Sequence, residues 1–308
     1  SRFATRRDSY SWQNDLSLAL GHTLTLGVDY QDDRIDSSTL YAEDARDNSG
    51  TFLQYLGEQG RHDWQLSARR DDNQQFGEHD TGSLGYGYAL SDALRARLSY
   101  GSAFKAPSFN DLYYPNYGNP DVMEETSQSL EAGLLGQHGW GHWEVNAFRS
   151  EVSDLIAYDA STGGPGNVDE AVIDGVELVV GSQWLGWAWN ANYSYLEPEN
   201  RTRGANYGKQ LARRAQQVAN LDIDRRFGAF SVGTSLHGEG RRFDDLANSD
   251  AKRLPGYATL DLRGEYRIDP QWRVQAKLSN LFDTQYETAL GYNQPGQGAY
   301  LSVHYQAL

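Results

Sequence analysis

The chain has 308 residues, 42 of them Asp or Glu against 27 Lys or Arg, giving a net charge of −15 with only 39% hydrophobic residues. That length suits one large β domain or two ordinary ones, and the acidic total excludes a sequence-independent nucleic-acid binder, which needs a basic face. No apolar run is long enough for a helical membrane span and no apolar segment follows a basic start, so neither a spanning helix nor an attached signal peptide is predicted.

Cysteine is absent, which removes disulfides, thiolate metal sites and Cys nucleophiles. Twenty Tyr, eight Trp and 32 Gly at low mean hydropathy suit a wall that is apolar on one face and polar on the other, with aromatic girdles at two interfaces.

Taken in chain order, strands are predicted at 9–20, 23–35, 49–59, 62–72, 81–90, 94–104, 127–138, 142–158, 168–183, 186–198, 210–225, 228–240, 256–268, 271–282 and 298–307, fifteen in all. Leu94, Ala96, Leu98 and Tyr100 alternate with Arg95, Arg97, Ser99 and Gly101. Ala258, Leu260, Leu262, Gly264 and Tyr266 alternate with Thr259, Asp261, Arg263, Glu265 and Arg267, and after the Asp269-Pro270-Gln271 turn Trp272, Val274, Ala276 and Leu278 alternate with Arg273, Gln275, Lys277 and Ser279. A charge at every second position cannot sit in a dry core.

A soluble β-sandwich with charged outer faces shares this composition, but connection lengths argue against it. Short links at Gly21-His22, Gly60-Arg61, Ser91-Asp92, Gly139-Trp140-Gly141, Leu185-Gly186, Phe227-Gly228 and Asp269-Pro270 alternate with long ones near 36–47, 73–80, 105–126, 159–167, 199–209, 241–255 and 283–297. Short turns on one side and long loops on the other describe an all-β, antiparallel transmembrane β-barrel of the outer-membrane type. Most segments exceed the roughly 9–11 residues that cross hydrocarbon on a tilt, so the strands are expected to protrude on the long-loop side. Single-chain bacterial barrels have even strand numbers, so fifteen strands predict part of a barrel, as does the lack of an initiator Met.

Two passages are more specific. Gly101-Ser102-Ala103-Phe104-Lys105-Ala106-Pro107-Ser108, followed by Asp111-Leu112-Tyr113, Gly118-Asn119-Pro120 and Glu131-Ala132-Gly133, resembles the signature that TonB-dependent receptors carry from a strand into the next long loop. Asn280-Leu281-Phe282-Asp283, then Tyr286 and a Tyr292 to Pro295-Gly296 loop before the last strand, is similar to their carboxy-terminal signature. The cobalamin (vitamin B12) receptors of that family are resembled further in the run from Arg69 to Gly77, in Val152-Ser153-Asp154-Leu155-Ile156, in Arg213-Arg214-Ala215-Gln216-Gln217-Val218, and from Asn280 to Thr288.

The resemblance spans nearly the whole chain, residues 1–308 being the carboxy-terminal part of the receptor barrel domain. It implies a barrel of about 22 strands, of which these are the eighth to the last, closed by an amino-terminal plug that is absent here. It implies a non-enzymatic, energised import of cobalamin across a Gram-negative outer membrane, with work supplied by the TonB complex through the plug. The partners it implies are lipopolysaccharide and the surrounding membrane, the barrel-assembly machinery, and a phage or colicin gripping the long loops.

Two ligand-binding residues transfer with the resemblance. Ser49, in Asn48-Ser49-Gly50, falls on a hydroxyl residue that contacts ligand. Arg213 falls on a ligand-contacting arginine, whose fork of donors suits amide carbonyls and a phosphate; the competing reading makes Arg213 or Arg214 part of a wall-to-plug salt network. The family also has a ligand-contacting aromatic near Asp245 to Ala247, where this chain has none, with Phe243 close by. No cofactor is implied. The family's calcium loops lie upstream and reach this chain only near Asp8, so no metal is placed on it. The chain ends Gln306-Ala307-Leu308, not on the aromatic that the assembly machinery reads.

Other constellations have plain readings. Asp32-Asp33, Asp71-Asp72, Glu124-Glu125 and Asp244-Asp245 lack the spacing of a calcium loop and read as solvated or lipopolysaccharide-facing loop charges. The seven His occur singly with no catalytic or zinc spacing. Trp140, Trp143, Trp184, Trp187, Trp189 and Trp272 gather at the short turns, as a periplasmic aromatic girdle does. The competing functions are a siderophore or haem receptor, a passive porin-like channel, and an adhesin or phage receptor.

Overall fold

A computed structural model of the chain describes residues 2–159 and 162–307. Residues 160 and 161, inside the long link expected at 159–167, and Leu308, at the expected terminus, lie outside the described residues. The strands are β1 (Phe3–Ala19), β2 (His22–Ser37), β3 (Ala45–Gln59), β4 (His62–Asn73), β5 (Gly77–Ala89), β6 (Leu94–Lys105), β7 (Glu125–His138), β8 (Gly141–Asp159), β9 (Gly164–Trp184), β10 (Trp187–Asn200), β11 (Gln217–Phe227), β12 (Phe230–Glu239), β13 (Arg242–Phe243), β14 (Arg253–Leu254), β15 (Tyr257–Arg267), β16 (Trp272–Ser279), β17 (Glu287–Ala289), β18 (Tyr292–Asn293) and β19 (Gly298–Tyr305). Fifteen of them form one sheet in the order β1 to β12, β15, β16, β19, while β13 pairs with β14 and β17 with β18.

All fifteen predicted strands are present, with shifted ends. β1 and β3 begin earlier than expected, at Phe3 and Ala45. The strand predicted at 210–225 begins only at Gln217, because residues 210–216 turn aside into loop structure. The strand predicted to reach 282 stops at Ser279, where Asn280 takes a φ of 46° and its side-chain amide donates to the Thr284 carbonyl at 2.9 Å. The link expected at 105–126 contains a short helix, α1 (Phe109–Tyr113), started by a capping box in which Ser108 and Asp111 each satisfy the other's backbone N–H.

The short links are tight turns. Leu185 and Gly186 have φ of 51° and 77°, both left-handed as a two-residue type I′ hairpin requires.

The chain divides into two compact units, one of residues 1–133, 148–173 and 199–209 and one of 134–147, 174–198 and 210–308. Within the first, strand register lines up Leu16, Leu24, Tyr55, Leu66, Leu84 and Tyr100 across six strands on one face. The adjacent row, on the other face, is Asp15, Thr25, Gln54, Ser67, Ser83 and Gly101. Thr25 donates to Asp15 at 2.6 Å and Ser67 and Ser83 share a bond of 2.7 Å, so that face satisfies its own polar groups. The second unit repeats the scheme, with Trp189, Ile223, Thr234, Leu262, Leu278 and Ala299 on one face and Asn190, Asp222, Ser235 and Asp261 beside them on the other. Burial is sparse in the strands, and large apolar side chains such as Leu66, Leu84 and Leu98 stand exposed on the apolar face, as they do where the solvent is lipid.

Glycines make room for ions on the polar face. Gly50 sits in register between Asp29 and Asp71, and a Cβ there would collide with the Arg69 guanidinium. Arg69 thereby reaches across β3 to Asp29 at 2.7 Å and pairs with Asp71 at 2.7 Å. Gly233 does the same in the second unit, standing between Asp224 and Arg263, which pair over it at 2.6 Å. The two units use one device: a missing Cβ lets a charge pair close over the intervening strand.

This two-faced register predicts asymmetric tolerance to charge. Leu66→Arg, on the apolar row, is expected to cost about 2–4 kcal/mol, whereas Ser67→Arg, one residue along on the polar face, is expected to cost much less. Denaturant titration in lipid vesicles checks this, and equal losses would contradict the face assignment.

Candidate ligand site

The loops between β10 and β11, β12 and β15, and β16 and β19 carry small cores of their own. Leu211, Ala215 and Leu254 are buried, with Leu211 and Leu254 at 1% and 2% exposure. Packing of these apolar side chains, worth about 1.5–3 kcal/mol for each large one fully buried, explains why residues 210–216 do not continue the strand. Polar clamps complete the fit. The Asn248 side chain accepts from the Gln210 N–H and donates to the Gln210 carbonyl, both at 2.8 Å, from a left-handed backbone with φ of 53°. Asp245, also buried, caps Ser249 through its N–H at 3.0 Å and its hydroxyl at 2.7 Å.

Arg213 is the feature of this cluster with binding chemistry. Its φ of 59° is left-handed, a conformation that costs a non-glycine residue about 1–3 kcal/mol and persists only where its surroundings over-determine it. They do so here: the Arg213 N–H donates to the Phe243 carbonyl at 2.7 Å, and its side chain reaches Asp244 through Nε at 2.7 Å and Nη2 at 3.3 Å. The guanidinium stays 41% exposed while its carboxylate partner is 10% exposed. The result is a cation presented to solvent from a fixed mount.

Arg242, next to Phe243 in the chain, is buried. It pairs with Glu239, donates to the Glu287 carbonyl at 3.1 Å, and lies 5.5 Å over the Tyr257 ring, which stacks on Tyr286 with centroids 4.0 Å apart. Phe243, close to the stretch where the family carries an aromatic and this chain has none, contributes its backbone carbonyl to Arg213.

Ser49 is placed differently. Register sets it in a row with Tyr10, Tyr30, Asp72 and Glu78, and its parity along β3 is that of Leu53 and Tyr55, on the apolar face. The polar face at that level belongs to Asn48, which donates to Asp71 at 2.8 Å, and to Gly50. Ser49 lies in the first compact unit and Arg213 in the second.

The paired acids flagged in the sequence are engaged with neighbours. Asp33 pairs with Arg7, Asp32 with Arg34, Asp71 with Arg69, and Glu125 with Lys105. Glu125 also accepts from the Ile156 N–H at 2.7 Å. Among the described residues no three His, Asp or Glu side chains converge as a metal ion requires. The tryptophans at the short turns pack against nearby rings and cations: Trp140 stacks on His138, Trp187 meets Phe227 and Arg225, and Trp272 meets Tyr305.

Asp244 as the partner of Arg213, and the clamp between Asn248 and Gln210, were not legible in the sequence; the only signal was the Asp244-Asp245 pair itself. Their geometry makes the Asn248 clamp testable. Asn248→Ala removes two hydrogen bonds to one backbone, at about 0.5–1.5 kcal/mol each, and is expected to raise the rate of proteolysis within 201–216 several-fold while leaving the heat-modifiable sheet intact. Unchanged cleavage would show that the clamp does not hold the loop.

Comparison with known proteins agrees with this architecture. Residues 1–281 match the family described as TonB dependent receptor-like, beta-barrel. The chain is 33% identical over 316 residues to the vitamin B12 transporter BtuB of Photobacterium profundum, covering 99% of this chain and 51% of that protein. It is 29% identical over 313 residues to BtuB of Vibrio vulnificus, covering 97% and 50%. The chain thus spans about half the length of the curated relatives it matches. Among solved structures, a variant of the ferric enterobactin receptor PfeA of Pseudomonas aeruginosa superposes with a TM-score of 0.79 at 19% identity, covering 98% of this chain and 54% of that one. The copper transporter OprC does so at 0.77 and 18%, covering 98% and 56%. Similarity at that identity shows the fold. With the family matched along 281 residues and the two-faced antiparallel sheet in place, the chain belongs to the TonB-dependent receptors, as part of their outer-membrane β-barrel.

Proposed function

We propose that the receptor containing this chain imports cobalamin. The observation that carries this reading is the likeness to two vitamin B12 transporters at 29–33% identity along 97–99% of the chain. The polar cluster supports it chemically: a guanidinium mounted rigidly yet left accessible, as Arg213 is, suits a ligand rich in amide carbonyls and bearing a phosphate. Binding at the loops is followed by transport work delivered from the TonB complex through a plug domain. No bond in the ligand is broken. Ser49 shares the strand parity of Leu53 and Tyr55, so the proposal rests on Arg213.

The test is a cyanocobalamin titration of the full receptor, with and without calcium, in wild type, Arg213→Ala and Ser49→Ala. Loss of a charge-assisted contact predicts about a tenfold or greater weakening for Arg213→Ala, and Ser49→Ala is expected to stay within about twofold of wild type. A folded receptor that ignores cyanocobalamin but saturates with a ferric siderophore or haem would replace cobalamin as the ligand, and steady conductance without any ligand would point to a passive channel.

A further inference from the structure

We propose that Asp244 is a positioning residue for the ligand site: it touches no ligand, but it aims the Arg213 guanidinium and ties that aim to the hairpin of β17 and β18. The inference rests on Arg213 being a ligand contact and goes further by naming what sets its affinity.

The Asp244 carboxylate is buried, and a buried carboxylate is costly unless its oxygens are satisfied. Two groups satisfy it. Oδ1 accepts from Arg213 Nε at 2.7 Å and from the Leu290 N–H at 3.1 Å, and Oδ2 accepts from Arg213 Nη2 at 3.3 Å. Its own N–H is tied to the Lys252 carbonyl at 2.9 Å, so the mount cannot swing. Two-point pairing of a carboxylate with the Nε edge of a guanidinium fixes the plane of the fork as well as its place.

The two charges flanking Phe243 and Asp244 are directed elsewhere. Arg242 turns to Glu239 and to the Glu287 carbonyl, and Asp245 to Ser249. Arg242 and Asp244 are two residues apart on one short strand-and-turn segment, and both reach the segment 287–290, one through the Glu287 carbonyl and the other through the Leu290 N–H. The hairpin of β17 and β18 is therefore fastened to the same loop at two points, and one of these is the carboxylate that holds Arg213.

An arginine that is already held in its binding geometry loses little side-chain freedom when ligand arrives, and affinity gained in this way is lost when the mount is removed even though no ligand contact has gone. A double-mutant cycle with cyanocobalamin on the full receptor reads this out. Asp244→Asn keeps the shape and the acceptor for Leu290 but removes the charge, and is expected to weaken binding by about tenfold. In the Arg213→Ala background the same substitution is expected to change affinity by less than about twofold, because nothing remains to be aimed. Asp244→Glu, which retains the charge at a longer reach, is expected to recover part of the loss. Should Asp244→Asn disorder the loops, seen as new proteolysis within 201–216, Arg213→Lys serves in its place: it keeps the charge without the fork and is expected to bind as weakly as Asp244→Asn does.

Full affinity in both Asp244→Asn and Arg213→Lys would overturn the positioning role while leaving Arg213→Ala to report on the contact. Equal losses from Asp244→Asn with and without Arg213 would also overturn it, since the effect would then run through general loop structure. An unaltered Arg213→Ala receptor would remove the ligand contact itself, and the inference with it.

Discussion

A sheet that crosses hydrocarbon has no water to satisfy its backbone, so each strand must give its N–H and C=O groups to neighbouring strands, and side chains must divide between lipid and polar faces at a period of two. Everything else here follows from that division. It sets the row from Leu16 to Tyr100 against the row from Asp15 to Gly101, and it explains how a chain so low in hydrophobic content folds with hardly any buried residues in its strands. Cohesion comes from ladders of hydrogen bonds and from cross-strand side-chain pairs, not from a central core.

The polar face then needs its charges balanced, and strand spacing limits how. A side chain on one strand lies about 4.8 Å from its neighbour's, and a pair two strands apart is blocked by whatever stands between. Gly50 and Gly233 remove the block. Both positions would look like weaknesses in a strand judged by propensity alone, yet each trades local stiffness for an ion pair that spans three strands, Asp29 to Arg69 in one case and Asp224 to Arg263 in the other.

The alternation and the turn chemistry lie in local sequence, which is why all fifteen sheet strands could be read from it, along with the tight turns at Gly21, Gly60, Gly186 and Gly228, all with positive φ. Loop structure depends on contacts between segments distant in sequence and was not legible. Residues 210–216 adjoin β11 directly and carry no local signal that ends it, but Leu211 is buried and Gln210 is clamped by a residue 38 positions away. Helix α1 carries its capping box in Ser108 and Asp111, a local signal that stands alone because so short a helix has no period to find. The face of Ser49 was legible: it shares the parity of Leu53 and Tyr55, which puts it on the apolar side without any structure.

That contrast separates the two residues transferred by resemblance. A position in a strand keeps its face only through strict register, since one residue of displacement carries it to the other face; the face of Ser49 is set by the same ladder that sets Leu53 and Tyr55. A position in a loop is held by whatever grips it. Arg213 is gripped at its N–H by Phe243 and at its side chain by Asp244, and a left-handed arginine would relax if either were lost. The same two contacts join residues 210–216 to the segment of Phe243 and Asp244, so one residue both ties two loops together and leaves its own side chain part-exposed.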